Sequence, residues 1–225
     1  MKVQIAARVR QPLQAIDQRS PGDEEMLGLS EQGALLTAND TSPYEEIVRA
    51  GRAFEAHTTA AIAAVVAVPT TAHMLAIYNN EPDDGRLIII DRAWALNIVS
   101  TAVASQASLI GLVGQVRETP PTDAALAINP LNGMGSRDTR ARTILNATAL
   151  PATTGLAANW RLLPGPTGGM KPGAAATPGY WVNADINGRI VLPPGRYFAI
   201  HVLANVVGET FTAGIEWHEK NAKVS

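Results

Sequence analysis

The stretch from Gly188 to Lys220, GRIVLPPGRYFAIHVLANVVGETFTAGIEWHEK, constrains the fold more than any other part of the chain. Arg196, Phe198, Ile200 and Val202 fall on one side of a period-two pattern, with Tyr197, Ala199, His201 and Leu203 on the other. After a break, Phe211, Ala213, Ile215 and Trp217 line one side, with Thr212, Gly214, Glu216 and His218 opposite. Successive side chains of a strand point to opposite faces, so both runs are extended. Asn205 to Glu209 connects them, and Pro193-Pro194-Gly195 interrupts any sheet just before the first. The pattern predicts a terminal antiparallel hairpin with an aromatic core face.

The rest of the chain carries the same signal in weaker form. Strands are predicted at Phe54 to Thr59, Ala60 to Val68, Met74 to Tyr78, Arg86 to Val99, Ser108 to Val116 and Ala124 to Ile128. Asp84-Gly85 is a hairpin-type turn signal, and Gly111 and Gly114 mark a bulge or close packing within a strand. Short strands at this spacing, separated by turn residues, indicate a sandwich or a barrel. From 130 to 180 the pattern dissolves into a Gly/Pro-rich excursion, in which only Trp160 to Leu163 reads as a strand. An excursion of that length is expected to contact a neighbour or a ligand, or to run through solvent.

Residues 1–52 differ in character from residues 53–225. They hold 14 of the 38 charged residues and one aromatic, Tyr44. Pro43 to Gly51 reads as a short helix, with Pro in its first turn and Gly at its end. The remainder is too polar to bury a core of its own and reads as an extended arm. Met26, Leu27 and Leu29, with Leu35, Leu36 and Tyr44, are the groups by which such an arm would dock on a partner.

Composition narrows the function classes. Only 17% of the 225 residues are charged and the net charge is -2, which gives no basic face for nucleic acid. There are no cysteines, so disulfides and thiolate metal sites are excluded. The first residues lack the apolar core of a signal peptide, and the longest apolar run is about half a membrane span, so no membrane partner is expected.

No constellation declares a chemistry, and neither a catalytic residue nor a cofactor is assigned. His201 and His218 would face each other across the terminal hairpin with Glu216 beside them, but a third ligand and any HxH or HExxH spacing are missing. Gly133 to Arg140 has neither the Walker ending nor GxGxxG, and GxSxG is absent. Arg137, Arg140 and Arg142 read as a basic rim toward a neighbouring subunit. Trp94 and Trp217 read as core residues, whereas Tyr180 and Trp181, just after the Gly/Pro-rich excursion, are candidates for stacking on a sugar.

The order of segments resembles that of bacteriophage virion proteins. A polar arm is followed by an Ala/Thr/Val strand pair from His57 to Asn80, then the apolar LIIIDRAW strand from Leu87 to Trp94. Last comes the RIVLPPGRYFAI segment from Arg189 to Ile200 with its aromatic partner. The resemblance covers about Ala53 to Lys220 and implies an all-β, jelly-roll-like antiparallel sandwich with an extended amino-terminal arm. It implies a non-enzymatic virion structural protein, assembled in the host cytoplasm as a homo-oligomer, commonly a trimer. The first expectation is a capsid decoration or cement protein, latched through its arm onto the major capsid protein or other virion proteins. The alternative is a tail or head fibre module that recognises host-surface carbohydrate.

Overall fold

The computed structural model describes residues 43–101, 103–121, 127–133, 139–146, 148–163, 168–171 and 179–221. The arm residues Met26, Leu27, Leu29, Leu35 and Leu36 lie outside the described residues, as does Arg137. Residues 1–50 and residues 51–225 form separate units. In the first, the helix α1 (Pro43–Arg49) starts on a proline whose missing N–H would have been unpaired there anyway. Glu45 and Glu46 sit in its first turn and Arg49 in its last, so their charges oppose the helix dipole, and Arg49 reaches Glu45 at 2.7 Å. Tyr44 is exposed on this helix.

The second unit is all β. Its strands are β1 (Ala53–His57), β2 (Ile62–Ala63), β3 (Leu75–Asn79), β4 (Arg86–Val99), β5 (Ser105–Val113) and β6 (Asn129–Pro130). They continue with β7 (Ala141–Leu145), β8 (Trp160–Leu162), β9 (Gly168–Lys171), β10 (Trp181–Leu192), β11 (Tyr197–Ala204) and β12 (Thr210–Asn221). One sheet runs β10-β4-β12-β1-β6, with β2 also on β12; the other runs β7-β3-β11-β5-β8, with β9 also on β5. Every strand pairing is antiparallel. With β8 and β9 taken as one broken strand on the edge of β5, the main strands cross repeatedly from sheet to sheet, in the order of a jelly roll.

That crossing corrects the terminal hairpin. β11 pairs with β3 and β5, whereas β12 pairs with β1 and β4, so the two consecutive strands sit in opposite sheets. The Asp84-Gly85 turn is likewise a corner, leading from β3 in one sheet to β4 in the other. A tight turn reverses the chain; long-range pairing decides which sheet receives the next strand. The predicted strand over Ala60 to Val68 contracts to β2 and a single bridge from Val65 to Leu203.

Phe54, Ile88, Ile90, Val182, Phe211 and Trp217 of the first sheet meet Leu75, Ile77, Leu109, Phe198 and Ile200 of the second in the central core. Close approach at β5 needs a glycine: a Cβ on Gly111 would stand 2.5 Å from the Leu163 side chain and 3.2 Å from Phe198.

The second sheet is apolar on both faces. Its outer residues Ala76, Tyr78, Ile110, Leu112, Tyr197 and Ala199 are buried in a second cluster with Leu150 of the Gly/Pro-rich excursion and with Trp160 and Ile144, which stand on the edge strands β8 and β7 of the same sheet. Trp160 fixes this cluster by donating its indole N–H to Thr70 O at 3.0 Å. The described part of the excursion thus extends this sheet through β7 and β9 besides the expected β8, and buries part of its outer face through Leu150. One outer face of the sandwich is capped by the chain itself. The outer face of the first sheet carries the candidate site.

Candidate functional site

Pairing across the first sheet places outward side chains in rows. Glu55 of β1 lies opposite Glu216 of β12, Glu216 opposite Arg92 of β4, and Arg92 opposite Asp185 of β10. The next row reads His57, Gly214, Trp94, Asn183. In the third, Thr212 and Trp181 flank Leu96. Glu55, Arg92, Trp94, Trp181, Asn183 and Glu216 line a groove of about 450 Å³.

Trp94 forms the floor. A Cβ on Gly214 would fall 2.4 Å from Cε2 and Cζ2 of the Trp94 ring, so the indole rests against the glycine where any other residue would hold it away. The ring is stacked beside His57 (centroids 6.5 Å, 29°) and meets Trp181 at 5.4 Å and 49°. Trp181 is 57% exposed. Two indoles therefore make a bent apolar platform bordered by carboxylates, a guanidinium and an amide. Apolar surface with a few convergent polar groups is the usual make-up of a small-ligand site.

The polar border is short of positive charge. Arg92 is divided between Asp185, 3.3 Å from its Nε, and Glu216, 3.7 Å from Nη1. Burial pushes the Glu216 carboxyl above its ordinary value; Arg92 pulls it back, while Glu55 and Asp91 push it up again. Asp91 in turn pairs with His218, whose Nδ1 lies 2.9 Å from both carboxylate oxygens.

Tyr180 and Trp181 part company, because adjacent residues of a strand face opposite ways. Trp181 points out into the groove. Tyr180 turns inward: its ring meets Phe211 edge-on at 5.7 Å and its hydroxyl donates to the buried carboxylate of Glu209. Ser105 also donates to Glu209, at 2.8 Å, and Asn97 Nδ2 lies 3.5 Å away. Burial and the Glu209 contact push the Tyr180 hydroxyl pKa up, so it stays a donor. Tyr180 is thus an anchor for the start of β10, not a stacking surface.

Trp94, read as core, is the ring that the sequence misplaced; Trp217 is fully buried as expected. The cause is a bulge at Asp91. Trp217 pairs with Ile90 and Glu216 with Arg92, so Asp91 is an extra residue that shifts the inward parity from Ile88 and Ile90 to Ala93 and Ala95. Trp94 is turned outward by that one residue.

The remaining expected contacts disperse. Arg140 is exposed, whereas Arg142 is half-buried on β7 and donates to Pro121 O at 2.6 Å, bracing the chain internally. His201 and His218 do not share a site: His201 belongs to the covered outer face of the second sheet, against Trp160, and His218 to the first sheet. Among the described residues, no three of His, Cys, Asp and Glu are placed to hold a metal ion, and no helix is long and apolar enough to cross a membrane. No family model, curated protein or solved structure matches the chain.

Proposed function

We propose that this jelly roll is a non-enzymatic carbohydrate-recognition module, and that the groove on its first sheet is the binding site. The observation that carries the reading is the Trp94–Trp181 platform, held open to solvent while the opposite outer face is sealed. The C–H face of a pyranose fits an indole, and its equatorial hydroxyls reach side chains that project beside the ring. Glu55, Glu216, Arg92 and Asn183 project in that way. Read with the resemblance to bacteriophage virion proteins, the module would serve on a tail or head fibre as the part that meets host-surface carbohydrate. The decoration or cement role would act through the arm; the groove is the observation that supports the receptor-binding role.

Immobilised glycans probed with the full-length chain and with Trp181→Ala test the reading. Trp181 is exposed, so its loss should leave the fold intact, as judged by an unchanged melting curve. Binding should weaken roughly thirtyfold, the effect of removing an aromatic anchor worth about 2 kcal/mol. Equal binding by both proteins would remove the groove from consideration, and no glycan bound by the parent would sink the reading.

A further inference from the structure

We infer that the groove selects uncharged pyranoses and rejects their carboxylated counterparts; the inference rests on the glycan-binding reading and specifies its ligand class. The row Glu55, Glu216, Arg92, Asp185 places three carboxylates and one guanidinium side by side across four strands. Glu55 and Glu216 stand directly opposite each other, an arrangement that costs a sheet stability. Arg92 does not offset it for both, since its guanidinium lies between Glu216 and Asp185 on the side away from Glu55. Asp91 adds a further carboxylate close behind Glu216, paired with His218, and His57 stands 3.3 Å from Glu55. The titratable groups of this face are therefore dominated by acceptors.

A ligand resting on Trp94 and Trp181 next to that row is read by its hydrogen-bond donors. Adjacent hydroxyls of a neutral sugar can both donate to one carboxylate, and Asn183 supplies a donor and an acceptor at the edge of the platform. A uronic acid would bring its own carboxylate against Glu55 and Glu216, with Arg92 already engaged by Glu216 and Asp185. An opposed like charge is one of the ways a site discriminates against a ligand of nearly the same shape.

The test compares matched pairs by calorimetry, using the full-length chain. The pairs are cello-oligosaccharide with cellouronate, mannan with mannuronate, and galactan with galacturonate oligomers. At least one neutral oligomer should bind, with its uronate at least about tenfold weaker, a gap that narrows as salt rises. Glu216→Gln should shrink that gap several-fold. A uronate that binds as tightly as its neutral partner, with Trp181→Ala still weakening binding, would overturn the selectivity while leaving the groove as the site. Absence of binding by every oligomer would overturn the glycan reading and the selectivity together.

Discussion

Trp217→Ala is expected to cost the β body about 3–5 kcal/mol, the range for removing a large aromatic from a packed core. Trp217 is fully buried on β12, at the centre of the first sheet, with the Phe54 ring 5.9 Å away on the neighbouring strand. β12 is bordered by both β1 and β4, so its inward residues have no edge toward which the core could relax. The cavity should therefore stay largely open. For a unit of this size the loss corresponds to a fall in melting temperature of roughly 10 °C. Trp217→Phe keeps a ring in place and should lose clearly less. Urea denaturation followed by circular dichroism measures both; a Trp217→Ala variant within about 1 kcal/mol of the parent would contradict the core described above.

The second large effect is acid sensitivity at the covered face of the second sheet. Burial lowers the His201 pKa to about 4, with a smaller contribution from neighbouring His73, whose own pKa burial also lowers. Both rings are thus neutral when folded at neutral pH. The unfolded chain takes up a proton on each near pH 6.5, while folded His201 resists protonation until about pH 4. Stability from these groups is complete above about pH 6.5 and is lost progressively as pH falls toward 4. His201 alone accounts for about 3 kcal/mol across that window. Equilibrium unfolding at pH 7 and pH 4.5 should show the loss, and His201→Leu should flatten it. A slope unchanged in that variant would assign the acid sensitivity to other groups. Because Trp160 lies edge-on to His201 at 6.5 Å, the outer cluster of this sheet is the part expected to loosen first.

Much of the fold was legible because it rests on local pattern. The strand limits of β4 follow from Arg86 to Val99 alone, and the alternation of β11 and β12 needs only the period-two rule. What was not legible was partnership. Asn205 to Glu209 and Asp84-Gly85 reverse the chain whichever sheet the next strand joins, so two corners were read as hairpins. The run of Tyr197 to Ala204, apolar except for His201, is buried on both faces; that Leu150 of the Gly/Pro-rich excursion packs on its outer side depends on contacts far apart in sequence.

The site shows the same division. Trp181 was found because it follows a stretch without core pattern. Trp94 was missed because the bulge at Asp91 reverses parity within an apparently regular strand. A signal was present in Gly214: a glycine inside an aromatic-rich strand marks a place where another group comes close, here the Trp94 ring. The row of carboxylates could not be seen at all, since Glu55, Glu216, Arg92 and Asp185 meet only through the register of four strands.

The central claim, that the half-buried Trp94 and exposed Trp181 indoles are the binding surface, is open to one direct measurement. The chain has four tryptophans, of which Trp160 and Trp217 are buried and Trp94 and Trp181 line the groove. Their indole N–H signals in a 1H–15N spectrum can be assigned by single substitutions. Titration with a neutral oligosaccharide such as mannohexaose, cellohexaose or galactohexaose should move the Trp94 and Trp181 signals together, with one saturation curve, and leave Trp160 and Trp217 in place. Four unmoved signals at saturating concentrations of all three sugars, or shifts confined to Trp160 and Trp217, would contradict the account.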